Sequence, residues 1–159
     1  MTPLHVLHEP SPELRKVAAP VLDFAIVDAK TQELIDALAL TMVEENGVGI
    51  AAPQVGASER IIIIETPSGV HAYINPEITS RSVRIVDSME GCLSVPGVSG
   101  IVKRHSSVKV KAKNRLGEDV EVKANGLTAI IFQHEIDHLD GILFIDKATK
   151  LTKDVRSRL

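Results

Sequence analysis

His134 and His138, with Glu135 between them, form an H-E-x-x-H pattern inside an apolar run from Leu127 to Leu139. Residues four apart stack on one face of a helix, so the two imidazoles can hold a single metal ion between them. Glu135 lies about 100° around the helix from His134, close enough to hydrogen-bond a water on that ion without being a ligand itself. Ile130, Ile131, Ile136 and Leu139 supply the helical apolar spacing, Asn125-Gly126 opens the segment and Gly141 closes it. Burying two histidines and a glutamate without a ligand or partners is costly, which weighs against a purely structural pair. The predicted chemistry is metal-assisted hydrolysis.

Two histidines leave a catalytic metal short of the usual three protein ligands and one open position. In metzincin-like proteases the third ligand is a His six residues after the second, with a Gly midway. Here Gly141 fits, but the ligand position is Phe144. Thermolysin-like enzymes use a downstream Glu, yet Glu135 is the last glutamate in the chain. Both peptidase readings therefore lack a ligand. Upstream, Glu90-Gly91-Cys92-Leu93-Ser94 carries the only thiol, and a thiolate there could face a helix-borne metal. A buried, inert thiol is the alternative for Cys92. A third segment, Gly47-Val48-Gly49-Ile50-Ala51-Ala52-Pro53-Gln54-Val55-Gly56, is rich in small residues and ends in a polar amide. Its glycines would let a substrate backbone approach while Gln54 points a donor at a reacting oxygen; the same run also suits a tight helix-to-strand connection.

The elements that must position these groups read as α+β. Pro3, Pro10, Pro12 and Pro20 break regular structure over the first 27 residues and predict an extended arm, with a helical turn near Glu13 to Val17. Asp28 is a fair N-cap for a helix to about Asn46, with Leu34, Ile35, Leu38, Met42 and Val43 on one face. Four consecutive isoleucines between Arg60 and Glu65 predict a buried strand. His71 to Asn75 and Val83 to Asp87 read as further strands, with turns at Pro67-Ser68-Gly69 and Asn75-Pro76. Val108, Val110 and Ala112 alternate with lysines, as Val120, Val122 and Ala124 alternate with Glu121 and Lys123, predicting an antiparallel hairpin with one wet face. Glu118, Asp119 and Glu121 make its lysine stripe an ordinary solvated face. The architecture expected is antiparallel strands packed around the helix at 126–139, with the earlier helix alongside. His5, His8, His71 and His105 have no ligand-like spacing and are read as surface or structural.

At 159 residues the chain suits one domain, 1–159, with one core. Hydrophobic residues are 44% but aromatics 3%, so Ile, Val, Leu and Ala must build that core. A net charge of −3 and a pI near 6.1 argue against a bulk nucleic-acid binder, DNA included. A single cysteine suits a reducing compartment. No long apolar run is visible near the N-terminus, which predicts no signal peptide and no membrane span. The expected location is cytoplasmic, or organellar if a transit peptide has been trimmed.

Together, the segments 47–54, 90–94 and 133–138 resemble the three signature motifs of the peptide deformylase family, in order and with similar spacing. The similarity also reaches the Pro-rich arm. The resemblance implies removal of the N-formyl group from formyl-methionine on nascent polypeptides, with Fe2+ the usual metal and Zn2+, Ni2+ or Co2+ as substitutes. It implies that Cys92, His134 and His138 bind the metal, that Glu135 moves the proton, and that the Gln54 amide and the Leu93 backbone N–H meet the developing oxyanion. The Gly49 backbone is implied to pair with the peptide. Val48, Leu93, Ile130 and Ile131 are the positions expected to line an apolar pocket for the methionine side chain. Glu90 resembles a family position that forms a structural ion pair, with Arg104 as its candidate partner.

One segment departs from the family pattern. Gly97-Val98-Ser99-Gly100 stands where many relatives carry a bulky aromatic or basic residue, so that side of the cleft is expected to be more open. Lys147, Lys150, Lys153, Arg156 and Arg158 form a basic tail at near-helical spacing, which reads as a frayed solvated helix with ribosomal RNA as its alternative partner.

Overall fold

The run of four isoleucines organises the molecule. The computed structural model describes residues 1–153 and places Ile61–Thr66 in strand β2, sandwiched between the two long helices α2 (Ala29–Glu44) and α3 (Gly126–Leu139). Side chains alternate across a strand. Ile62 and Ile64 accordingly join the cluster of Phe132, Ile131, Ile136 and Leu139 from α3, while Ile61 and Ile63 join that of Ile35, Leu38 and Met42 from α2. A strand apolar on both faces is what this burial requires, and each such side chain contributes about 1.5–3 kcal/mol on leaving water. Val43, expected on the core face of α2, is instead 57% exposed, because it lies beyond the edge of the stripe set by Ile35, Leu38 and Met42.

Two antiparallel sheets surround α3. The larger has the order β1 (Gly49–Ala51), β2, β3 (Gly69–Arg81), β6 (Ser107–Lys113), β7 (Asp119–Asn125). The β6–β7 hairpin follows the expected register: Val108, Val110 and Ala112 oppose Ala124, Val122 and Val120, with Lys111 across from Glu121 and Lys113 across from Asp119. The expected turn at Asn75-Pro76 is replaced by a continuous β3. Asn75 takes a positive φ of 52° at a register shift between Ile74 and Glu77, so the residues that suggested a turn form a bulge. The Asn75 side chain then exchanges hydrogen bonds with the Val21 backbone and ties the arm to the sheet.

The smaller sheet has the order β4 (Ile85–Cys92), β5 (Val95–His105), β8 (Lys150–Lys153). The expected strand at 83–87 therefore starts later and runs on to the thiol. The helical reading of the tail is overturned at Lys150 to Lys153, which pairs antiparallel with Val98 to Ile101. Gly100 explains this: a Cβ there would meet Ala148, Leu151 and the Lys150 carbonyl at 2.9 Å. The absent side chain makes room for the returning chain. Lys147 lies in the short helix α4 (Phe144–Lys147), whereas Arg156 and Arg158 fall outside the described residues. In the arm, the turn expected near Glu13 is a 3-10 turn at Pro12–Arg15, and the four-residue α1 (Asp23–Ile26) follows it.

Candidate metal and hydrolytic site

The site forms where α3, the end of β4 and the segment after β1 converge. Helix α3 runs from Gly126 to Leu139 and stops where Gly141, at φ 73°, donates its N–H to the His138 carbonyl. His134 and His138 sit one turn apart with ring centroids at 5.0 Å, both buried. Cys92, at the last position of β4, is 2% exposed. Its Sγ and one nitrogen from each histidine lie within 4.8 Å of one another. His138 Nε2 is 3.3 Å from the sulfur.

These donors suit a thiophilic divalent ion. His134 Nδ1–H donates to Glu90 Oε1 at 2.9 Å, which fixes the tautomer and turns Nε2 inward. That Nε2 is buried without a hydrogen-bond partner among the described residues, and a buried polar atom of this kind calls for a partner, which a cation held by these donors would supply. Burial opposes protonation of His134, but its contacts with Cys92 and Glu90 and the nearby charge of Glu135 raise its pKa to about 10. A metal ion would occupy the position of that proton. Burial, together with the charges of His134 and Arg104, pushes His138 well below its ordinary value, leaving a neutral imidazole suited to ligation.

Glu90 carries more than its sequence context indicated. It is fully buried and accepts two hydrogen bonds from Arg104, at 2.9 and 2.8 Å, besides that from His134. Burial raises its pKa, but Arg104 and His134 outweigh this and hold it at about 2. Arg104 continues to Asp137 at 2.7 Å, and Lys147 also bonds Asp137 at 3.0 Å. A chain of alternating charge thus links a histidine of the ligand set to the surface. Asp137 was passed over in the sequence, although its i+3 spacing from His134 was visible.

Glu135 is fully buried, and neither carboxylate oxygen has a hydrogen-bond partner among the described residues. Burial is the main cause of a pKa raised to about 7, with His134 pulling it down and Glu90 adding to the rise. Gly49 abuts this carboxylate; a Cβ at Gly49 would stand 2.5 Å from Glu135 Oε1. Gln54, in the 3-10 turn Ala52–Val55, is 1% exposed and brings Nε2 to 3.5 Å from Cys92 Sγ. Of the residues expected to line an apolar pocket, Val48 and Ile130 are half-buried, while Leu93 and Ile131 are buried in two different clusters. Ser94, which the sequence did not single out, accepts a hydrogen bond from Gln54 Nε2 at 3.1 Å.

Comparison with known proteins identifies the family. Residues 3–154 match the family described as polypeptide deformylase. A peptide deformylase of Halothermothrix orenii is 48% identical over 146 residues, covering 91% of this chain and 92% of that protein. One from Acetivibrio thermocellus is 47% identical over 137 residues, covering 86% and 78% of the two chains. Among solved structures, a class I type b peptide deformylase from Acinetobacter baumannii superposes with a TM-score of 0.90 at 43% identity, covering 92% of this chain and 100% of its own. The peptide deformylase of Thermotoga maritima gives 0.89 at 39% identity, covering 94% and 100%. The thiol and imidazole cluster, the antiparallel sheets around α3 and these likenesses together place the chain in the polypeptide deformylase family.

Proposed function

We propose that this chain removes the formyl group from N-formyl-methionine at the start of newly made polypeptides, acting as one catalytic domain. The observation that carries this reading is the convergence of the Cys92 thiol with the two imidazoles, beside a Glu135 carboxylate that has no hydrogen-bond partner among the described residues. Cys92, His134 and His138 would hold the ion, and a thiolate with two imidazoles suits Fe2+, with Zn2+, Ni2+ or Co2+ as substitutes. When bound, the ion supplies Lewis acidity, making water acidic enough to attack at neutral pH.

The protein groups do the rest. Glu135 takes a proton from the attacking water and returns it to the leaving amine. The Gln54 side-chain amide and the Leu93 backbone N–H donate to the oxygen of the formyl group as charge develops there. Val48 and Ile130, with the buried Leu93 and Ile131, line the pocket for the unbranched methionine side chain, and the Gly49 backbone pairs with the peptide. The activity belongs where translation occurs, in the cytoplasm or, after removal of a transit peptide, in an organelle. No helix among the described residues is long and apolar enough to cross a membrane.

The test is to incubate anaerobically prepared Fe2+ protein with formyl-Met-Ala-Ser and measure formate against peptide cleavage. Formate release without cleavage is expected. Cleavage, or metal-loaded protein that releases no formate, would overturn the reading. Docking on ribosomal RNA is a separable proposal, now resting on the exposed Lys150 and Lys153 of β8. Reversing both charges should then reduce co-sedimentation with ribosomes, and unchanged co-sedimentation removes the idea.

A further inference from the structure

A side-chain amide can serve an oxyanion only if its nitrogen end faces the reacting carbonyl, and rotation by 180° would present oxygen instead. In this site one neighbour, a backbone N–H that can only donate, selects the orientation, and a second, a hydroxyl, holds it. The Ala51 N–H donates to Gln54 Oε1 at 2.9 Å, and Gln54 Nε2 donates to Ser94 Oγ at 3.1 Å. The flipped amide would set Nε2 against the Ala51 N–H, two donors face to face at a buried position. Gln54 is 1% and Ser94 0% exposed, so neither misplaced group could turn to solvent for a partner.

Nε2 carries two hydrogens. Ser94 takes one of them and the other is directed at Cys92 Sγ, 3.5 Å away. Sulfur is a weak acceptor, so this second hydrogen is engaged lightly in the ground state and far more strongly by a developing oxyanion. The backbone around the pair is fixed as well. The Leu7 N–H donates to the Gln54 carbonyl at 2.7 Å and the Glu9 N–H donates to the Ser94 carbonyl at 2.8 Å. Two residues of the Pro-rich arm, two positions apart, thereby hold the turn bearing Gln54 and the segment bearing Ser94 at a set separation.

We propose that Ser94 is a positioning residue: its hydroxyl takes one hydrogen of the Gln54 amide and so aims the other at the reacting oxygen. This rests on the deformylase reading for its kinetic consequence, but the amide's orientation can be measured without substrate. In Zn2+-loaded protein labelled with side-chain 15N-glutamine, three amide groups are present, from Gln32, Gln54 and Gln133. The Gln54 pair, identified by its loss in Gln54→Ala, should exchange slowly with solvent in the parent protein. In Ser94→Ala its exchange should accelerate at least about tenfold while Gln32 and Gln133 are unchanged, because a donor released from its acceptor gains alternative orientations.

Kinetics of formate release complete the test. Gln54→Ala should lower kcat about 10²–10³-fold, the usual loss for one oxyanion donor. Ser94→Ala should lower kcat about tenfold with KM and metal content unchanged. In the Gln54→Ala background the Ser94→Ala change should add less than about twofold, since a residue that acts only through another has nothing left to position. Multiplicative losses, or unaltered Gln54 exchange in Ser94→Ala, overturn the proposal. If Ser94→Ala does not fold, Ser94→Gly carries the same expectations. Parent protein that shows slow Gln54 exchange but releases no formate would refute the deformylase reading and leave the orientation of Gln54 standing.

Discussion

Replacing Arg104 by methionine tests the charge chain behind the metal ligands. The Arg104 and Glu90 side chains are 3% and 0% exposed, and the guanidinium makes both of its bonds to Glu90 and a third to Asp137. Methionine fills much of the volume but leaves Glu90, among the described residues, with His134 as its one remaining hydrogen-bond donor. Removing one partner of a buried pair typically costs about 3–5 kcal/mol, because the other charge stays buried without compensation. For a domain of this size each kcal/mol lowers Tm by about 2–4 °C, so the melting temperature of the metal-free protein should fall by about 6–20 °C. Urea titration of metal-stripped protein checks the free energy directly. The companion Glu90→Leu/Arg104→Met removes both charges and should recover most of that stability, since a well-packed apolar pair is often no worse than a buried ion pair. Yet His134 then loses the carboxylate that fixes its tautomer, and Zn2+ affinity should drop about 10–100-fold. A loss under about 1 kcal/mol in Arg104→Met, or parent-like Zn2+ affinity in the double variant, would refute this account of Glu90.

Three further substitutions probe separate parts of the structure. Gly49→Ala places a methyl 2.5 Å from Glu135 Oε1, so the buried carboxylate must shift; kcat for formate release should fall about 10²-fold with metal content unchanged, and parent-like kcat would argue against the contact. Gly141→Ala forces a side chain into φ 73° and against the Arg15 carbonyl at the end of α3, and should cost at least about 2 kcal/mol in urea unfolding. For Asp146, burial raises the pKa, but the Arg15 guanidinium and the Leu143 N–H outweigh it and hold the carboxyl below its ordinary 3.8. A carboxyl whose folded pKa is depressed contributes stability that is complete above its unfolded pKa and is lost as pH falls through the folded value. Asp146→Asn should therefore cost about 0.5–1 kcal/mol at pH 7, small because the pair is partly exposed, and less at pH 3. An equal cost at both pH values would show that the charge contributes nothing.

How legible the molecule was depends on where each feature's cause lies. The helix carrying His134 and His138 was readable because apolar spacing, a closing glycine and paired imidazoles all lie within one short stretch. Strand β2 was readable for a similar reason, since four isoleucines in a row tolerate only a position buried on both faces. Lys150 to Lys153 was not, because nothing in Lys-Leu-Thr-Lys prefers a strand; its cause is a glycine fifty residues earlier that lets two backbones meet. Asn75-Pro76 misled because a positive φ and a proline serve a bulge as well as they serve a turn.

The same distinction runs through the site. Identities such as Cys92, Glu135 and Gln54 were visible because their functional groups are rare or motif-bound. The partners that orient them were not, since Ser94 and Asp137 acquire their roles only through contacts made across the fold. Arg104 became a candidate only through likeness to a family position. The Gln54 amide shows the physical cost of this: an isolated glutamine is as ready to present oxygen as nitrogen. Here the neighbouring Ala51 N–H selects one orientation, and the distant Ser94 hydroxyl and an arm stapled by two backbone bonds hold it in place. Chemistry in this protein was therefore written locally, while the aim of that chemistry was set by the tertiary structure.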